Sequence, residues 1–204
     1  MEGRDVPVYV TKDGENLVGG LTPLSLLTHE PTDAPSTPPQ PTEITKSDKP
    51  VVEIFVMTHC PYGTQAEKGI LPVYELLGDK IDSSVKFVHY FLHDPEKTET
   101  PIQICIREKD GDEKLNEYIA CLVEDGDSDR CLTETGIDQT KVDSCIENDY
   151  EGLYAADSAL SQGYGVQGSP SLIINGVQSN AGRSPSSYLA GICAAFNTPP
   201  EECE

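Results

Sequence analysis

The chain has 204 residues, with 35 acidic and 14 basic side chains and a formal net charge of −21. This charge disfavours nucleic acid and anionic membrane surfaces as partners, because both repel an acidic protein. The length predicts one globular domain, with room for a small appendage. No apolar run reaches the roughly 18 residues that a membrane-spanning helix needs, so the sequence contains no candidate transmembrane segment.

The first fifty residues differ in composition from the rest of the chain. Residues 1–29 form an N-terminal extension with one short predicted hairpin, whose strands are residues 6–10 and 17–18. Residues 30–50 are rich in Pro, Thr, Ser and Asp, which is typical of an extended polyproline-type linker. Because neither segment carries enough apolar residues to bury a core, we expect residues 1–50 to be dispensable for the fold.

The most informative feature is a cysteine between a strand and a helix. Residues 51–57 are apolar and β-branched and predict a strand, and Cys60 follows after a short polar turn. Pro61 suits the first position of a helix, where its missing N–H costs nothing. Cys60 would then face the unpaired N–H groups and the positive end of the helix dipole, which favour the nucleophilic thiolate. An inert buried cysteine is the alternative interpretation.

Three neighbours of Cys60 complete this motif. His59 could stabilise the thiolate when protonated, or could simply point to solvent. Tyr62 offers a ring beside the thiol, either as a docking surface or as a residue that the turn tolerates. Gly63 stands three residues after Cys60, and a cysteine engineered there is expected to face the Cys60 sulfur.

The remaining elements are predicted from periodicity and turn residues. They are a helix at 61–77, a strand at 85–92, helices at 98–109, 112–124, 128–135, 138–147 and 150–162, strands at 171–175 and 177–180, and a helix at 184–196. Ser169 and Pro170 directly precede the strand at 171–175, and Asn175 with Gly176 predicts a tight hairpin turn after it.

Six cysteines remain besides Cys60, and they predict disulfides. Grouping near neighbours pairs Cys105 with Cys121, Cys131 with Cys145, and Cys193 with Cys203, although the sequence alone does not determine the pairing. Zinc is disfavoured because the chain has no Cys-x-x-Cys and no histidine beside a cysteine pair, and we predict no metal site. Disulfides indicate an oxidising compartment.

Taken together, the Cys-Pro-Tyr-Gly motif and the order of elements resemble the thioredoxin superfamily, and in particular DsbA-type oxidoreductases and their relatives, including the kappa class of glutathione transferases. The resemblance covers residues 51–204. It implies an α/β thioredoxin fold of βαβ–ββα order with an inserted helical subdomain at about 98–162. In this superfamily a cis-proline loop faces the reactive thiol and holds the substrate backbone, which assigns substrate binding to Ser169 and Pro170. The chain departs from the usual motif because Gly63 replaces the second cysteine.

The expected function is therefore that of an extracytoplasmic thiol–disulfide oxidoreductase with Cys60 as its only nucleophile. Protein thiols and disulfides would be its partners, and an external thiol, such as glutathione, would resolve the adduct. We expect a monomer without a bound cofactor. Two alternatives stay open: a non-enzymatic binding or chaperone module with a degenerate site, and a glutathione-dependent transferase or isomerase.

The expected location rests on the disulfides, since no secretory signal opens the sequence. We expect a mature or truncated form that the N-terminal linker could tether, with any signal or membrane anchor outside this sequence. A hyperthermophile, whose cytosol can hold disulfides, is the other explanation. The acidity fits an extracytoplasmic protein or a high-salt environment, and composition does not separate these.

Overall fold

The computed structural model describes residues 8–10, 17–19 and 44–204, and the chain divides into two units at residue 40. In the first unit, strand β1 (Val8–Val10) pairs antiparallel with β2 (Leu17–Gly19), so the predicted pair of N-terminal strands is confirmed. Residues 30–43 of the linker predicted at 30–50 lie outside the described residues.

The second unit is built around a four-stranded sheet with the order β4-β3-β5-β6. Strand β3 (Val51–Val56) runs parallel to β4 (Asp82–Phe87) and antiparallel to β5 (Ser171–Ile174), which pairs antiparallel with β6 (Val177–Ser179). Five of the six residues of β3 and all four of β5 are buried, so these two strands form the centre of the sheet.

The described residues form seven helices that pack with this sheet. They are α1 (Pro61–Leu77), α2 (Glu96–Asp110), α3 (Asp112–Asp125), α4 (Ser128–Glu134), α5 (Gln139–Asn148), α6 (Tyr150–Gly163) and α7 (Pro185–Cys193), with short 3₁₀ turns at Gly78–Lys80 and Glu201–Cys203. Helix α1 connects the parallel strands, and α2 to α6 are inserted between the βαβ and ββα halves. The predicted fold class is confirmed. Among the described residues, no helix is both long and apolar enough to cross a bilayer.

The second strand of the domain lies earlier in the chain than predicted. Strand β4 occupies Asp82–Phe87, whereas the apolar pattern placed it at residues 85–92. The polar start of β4 is tolerated because this strand forms an edge of the sheet. The apolar residues after it pack elsewhere: the ring of Phe91 stacks on Tyr154 of α6 at 5.2 Å, and the hydroxyl of Tyr90 donates to the carbonyl of Gln167.

A buried ion pair joins the helical insertion to the sheet. Arg107 of α2 donates two hydrogen bonds to the carboxylate of Asp157 in α6, at 2.9 and 3.0 Å. Arg107 also donates to the carbonyl of Val85, and Asp157 accepts from the backbone N–H of Phe87. Because both carboxylate oxygens of Asp157 and both terminal nitrogens of Arg107 have hydrogen-bond partners, the pair is well satisfied in the interior.

Two of the three predicted disulfide pairings are wrong. The bonds join Cys105 with Cys145, Cys121 with Cys131, and Cys193 with Cys203. Only the last pair follows the near-neighbour grouping. The first pair crosses from α2 to α5 and the second from α3 to α4, because those are the helices that pack against each other. Helix packing, and not distance along the chain, decides which sulfurs meet.

The folded domain begins before Val51, where composition had placed its start. The backbone N–H of Ser47 donates to the carbonyl of Ala195 at 2.9 Å, and the N–H of Asn197 donates to the carbonyl of Ser47 at 2.9 Å. These bonds attach the segment that precedes β3 to the end of α7. Residues 44–50 therefore belong to the domain, and the expectation that all of residues 1–50 are dispensable does not hold for them.

Asn175 connects this segment to the hairpin. Asn175 and Gly176 form the turn between β5 and β6 with φ values of 49° and 79°, as expected for a two-residue hairpin loop. The Asn175 amide nitrogen also donates to the carbonyl of Thr45 at 2.6 Å, while its oxygen accepts from the N–H of Val51 at 2.8 Å. The turn residue thus holds the strand that leads to Cys60.

We predict that Asn175→Gly destabilises the domain by about 1–3 kcal/mol. Glycine keeps the left-handed backbone but removes the side-chain hydrogen bonds to Thr45, Ser47 and Val51, so the loss reports mainly on the attachment of residues 44–51. Urea unfolding measures it, with Gln178→Ala on the exposed face of β6 as the control. Equal stabilities of the two variants would contradict the assigned role of Asn175.

Candidate functional site

Cys60 is the residue that starts helix α1. It is the N-cap, with an extended backbone (φ −73°, ψ 122°), and Pro61 is the first helical residue. Its N–H donates to the carbonyl of Met57 at 3.0 Å, and its carbonyl accepts from the N–H of Thr64 at 2.9 Å. These bonds fix the turn that carries the sulfur. The Cys60 side chain is only 8% exposed.

The charges around this helix start favour an anion. No acidic residue lies in the first turn of α1, and no side chain caps its free N–H groups. A thiolate at the N-cap would meet those N–H groups and the positive end of the helix dipole. The sulfur therefore lies at the end of the helix towards which the free N–H groups point.

The loop before β5 lies directly against this cysteine. The Ser169–Pro170 peptide bond is cis. The Ser169 hydroxyl accepts a hydrogen bond from the N–H of Met57 at 2.9 Å, and the Ser169 carbonyl lies 3.8 Å from the Cys60 sulfur, which donates to it as a thiol. The structure thus brings Cys60 next to Ser169 and Pro170, which follow it by more than 100 positions in the sequence.

Gly63 leaves space for this loop. A Cβ atom on Gly63 would lie 2.8 Å from the Ser169 hydroxyl oxygen, 3.0 Å from the Met57 carbonyl oxygen and 3.4 Å from the Cys60 Cβ. Contacts below 3.0 Å force a shift of the neighbouring atoms. The Ser169 hydroxyl therefore fills the space beside the thiol, and a larger residue at position 63 would have to displace it.

The other residues of the motif lie towards solvent. Tyr62 is 62% exposed, and the guanidinium of Arg183 lies over its ring at 4.7 Å. His59 is exposed, and its side chain makes no hydrogen bond to any other described residue. A contribution of His59 to the thiolate stays a prediction.

A groove of about 350 Å³ runs beside the thiol. Its lining comes from α1, the cis-proline loop, β6 and the segment that leads to α7. The lining residues are Tyr62, Ser169, Pro170, Ser171, Leu172, Gln178, Ser179, Asn180, Ala181, Arg183 and Tyr188. Cys60 itself does not line the groove, which reaches the Cys-Pro-Tyr-Gly motif at Tyr62. Ser169, whose carbonyl lies 3.8 Å from the Cys60 sulfur, also lines it, as does Pro170, and these two residues are expected to hold a substrate backbone.

A buried acid in α1 was not singled out by the sequence reasoning. Glu67 lies two turns after Cys60 and is 2% exposed, and its Oε1 has no hydrogen-bond partner among the described residues. Burial, and to a lesser degree the charge of Glu99, raise the pKa of Glu67 to about 8. The helical spacing held a signal, because Glu67 shares the buried face of α1 with Gly63, Ile70 and Tyr74.

Glu99 of α2 lies in a buried polar cluster behind the thiol. Its carboxylate accepts hydrogen bonds from Tyr118 and Gln103, each at 2.9 Å, and from Ser128. The next residue, Thr100, shares a hydrogen bond of 3.2 Å with Thr58 in the loop before Cys60. The helical insertion thus contacts the loop before Cys60 through polar groups.

Comparison with known proteins shows the fold. No family model and no curated protein matches this chain. The chain is similar in structure to reduced DsbA from Mycobacterium tuberculosis, at 17% identity and a TM-score of 0.57, over 78% of this chain and 93% of that one. It is also similar to the disulfide bond oxidoreductase DsbG from Mycobacterium tuberculosis, at 17% identity and a TM-score of 0.56, over 78% of this chain and 88% of that one. A third similar structure is MdbA, a thiol-disulfide oxidoreductase from Actinomyces oris, at 13% identity and a TM-score of 0.54, over 74% of this chain and 83% of that one. At these identities the comparison establishes the thioredoxin-type fold with its helical insertion.

We predict that Gly63→Cys alone destabilises the domain by about 1–3 kcal/mol, because its side chain overpacks against Ser169. The double variant Gly63→Cys/Ser169→Gly should recover part of that loss and form a disulfide between positions 60 and 63. The Cβ separation of 3.4 Å lies close to the roughly 3.5–4.5 Å of protein disulfides. Urea unfolding and thiol counting measure both effects. Normal stability of the single variant would contradict the contact.

We predict that Glu67 makes stability decrease with rising pH. The folded chain keeps its proton up to about pH 8, whereas the unfolded chain releases it near 4.5, so the free energy of unfolding should fall between these values. At about 1.4 kcal/mol per pKa unit, the loss is on the order of a few kcal/mol.

Urea unfolding across this pH range checks the prediction for Glu67. Glu67→Gln should flatten the slope, whereas Glu75→Gln, at an exposed position of the same helix, should leave it unchanged. Parallel pH profiles for wild type and Glu67→Gln would show that another group carries the dependence.

Proposed function

We propose that this protein is an extracytoplasmic thiol–disulfide oxidoreductase that acts through Cys60 alone. One observation carries the proposal: Cys60 is a free thiol at the start of α1, facing the cis-proline loop, while the other six cysteines are paired in disulfides. A structural cysteine would not need this helix start without acidic residues. The position suits a nucleophile.

The first step is attack on a disulfide. The Cys60 thiolate attacks one sulfur of the substrate, the substrate S–S bond breaks, and the second substrate sulfur leaves as a thiolate. The product is a mixed disulfide on Cys60. Ser169 and Pro170 would hold the substrate chain extended beside the sulfur, with the groove at Tyr62 receiving the residues that follow.

The second step needs a thiol from outside. All other cysteines of the described chain are paired, and the space at Gly63 is filled by Ser169, so no internal thiol can attack the adduct. An external thiolate attacks the mixed disulfide, and Cys60 leaves as a thiolate that the helix start stabilises. Turnover is therefore bimolecular in this step.

Two further observations support the proposal. The similar structures from Actinomyces oris and Mycobacterium tuberculosis include proteins described as thiol-disulfide and disulfide bond oxidoreductases. Three disulfides within one domain also fit an oxidising compartment, and thus action outside the cytoplasm.

We predict that Cys60→Ser abolishes the reduction of insulin disulfides above the rate of the reducing thiol alone. The variant removes the nucleophile and leaves the fold, because Ser and Cys are similar in size. Lys141→Gln, at an exposed position in α5, serves as the control and should keep full activity.

Mass spectrometry of the wild type during the insulin assay should find the substrate adduct on Cys60. A folded wild type that neither accelerates reduction nor forms this adduct would reject the enzyme and favour a non-catalytic binding module.

A further inference from the structure

The groove beside Cys60 is free of acidic residues in a strongly acidic protein. Residues 54–66 and 158–200 contain no Asp or Glu, although the chain has 35 of them. Every residue that lines the groove comes from these two segments. Another groove lies between α1 and α3, and its lining does include acidic residues, namely Glu75, Glu113 and Glu117. Among the described residues, therefore, no carboxylate lines this groove beside Cys60.

Arg183 is the only Lys or Arg in these two segments. Its guanidinium lies 4.7 Å from the ring centroid of Tyr62, at the edge of the groove nearest the thiol motif. Among the described side chains it forms no ion pair, unlike Arg107 and Arg130, which bind carboxylates. Its hydrogen-bond donors are therefore free for a ligand, and the planar guanidinium suits a carboxylate.

The fold holds Arg183 in this place. Gly69 of α1 lets the chain approach closely, since a Cβ there would lie 2.3 Å from the Arg183 carbonyl oxygen. The next residue, Ser184, caps α7 by accepting from the N–H of Ser187, and the first turn of α7 has no acidic residue. Two helix starts and one guanidinium thus give this groove a local positive potential.

We propose that the groove binds the carboxylate of a small anionic thiol, which Arg183 holds next to Cys60. This inference rests on the proposed function and names the external thiol class that it requires. The volume of about 350 Å³ is at the small end of the roughly 300–1,000 Å³ typical of small-molecule sites. A net charge of −21 repels anions at long range, so an anionic thiol needs a local cation to bind.

The release of Cys60 from its substrate adduct is then a pair of disulfide exchanges. The thiolate of one small molecule, its carboxylate on Arg183, first attacks the Cys60 sulfur of the substrate adduct. The bond between Cys60 and the substrate breaks, the substrate sulfur leaves as a thiolate, and the small thiol is now joined to Cys60 by an S–S bond. A second molecule of the same thiol, as the thiolate, attacks the sulfur of the bound one. A new S–S bond forms between the two small molecules, the bond to Cys60 breaks, and its electron pair stays on Cys60 as the thiolate.

Reaction of the reduced protein with three symmetrical disulfides tests the inference. Glutathione disulfide is anionic, hydroxyethyl disulfide is neutral and cystamine is cationic, and mass spectrometry follows the Cys60 adduct with time. Arg183→Gln should slow the reaction with glutathione disulfide about fivefold, which is the effect expected from the loss of one exposed ion pair. The rate with hydroxyethyl disulfide should be unchanged. Arg183→Lys should retain most of the rate.

The control removes a positive charge from a different groove, on helix α1. Lys68 lines the groove between α1 and α3, and Lys68→Gln should change none of the three rates. The effect of Arg183→Gln should also shrink in high salt, because screening weakens an exposed pair. Equal slowing of the anionic and neutral disulfides by Arg183→Gln would overturn the inference, as would equal effects of the Arg183 and Lys68 variants.

Two other outcomes are distinguishable. Failure of hydroxyethyl disulfide to form any Cys60 adduct would reject the proposed function itself, and the inference with it. An acidic peptide disulfide that reacts faster than glutathione disulfide, and loses more rate on Arg183→Gln, would overturn the small-thiol class and make a protein segment the occupant.

Discussion

The contact between Ser169 and the first turn of α1 is the constraint on which the rest of the site depends. The Ser169 hydroxyl accepts from the N–H of Met57 and lies 2.8 Å from the place that a Cβ at position 63 would take. Packing thus favours glycine at 63, and a second cysteine in the motif would have to displace the Ser169 hydroxyl. The same loop places its carbonyl against the Cys60 sulfur. One close approach therefore decides both the shape of the site and the number of its thiols.

Much of the fold follows from local sequence signals. The strand–Cys-Pro–helix order, the Asn175–Gly176 hairpin and the five inserted helices come from periodicity and turn residues, and the structure has each of them. The disulfide pairing and the start of β4 could not be predicted from these local signals, because both depend on which elements pack together. Cys105 finds its partner on α5, which lies against α2, and the apolar run after Phe87 packs partly on α6 and not in the sheet.

The site could be predicted only in part for the same reason. Cys60 is marked by its neighbours in the chain, and Ser169 and Pro170 by their place before a strand. The reason for Gly63 is a contact across more than 100 positions, which no local pattern contains. Two signals were present but were not used: the acid-free segments at 54–66 and 158–200, and the place of Glu67 on the apolar face of α1. The first is a departure from the composition of the chain, and the second is a departure from the apolar period of the helix.

Because the proposed site has a single thiol, a mixed disulfide on Cys60 is released only by an external thiol. The most direct measurement is the rate at which a preformed mixed disulfide on Cys60 disappears as the concentration of added thiol is varied. The rate should rise linearly with thiol and pass through zero when no thiol is present, because every release needs an external attack. A finite rate without added thiol, accompanied by a new internal disulfide at Cys60, would contradict this account and reveal a resolving cysteine within the chain.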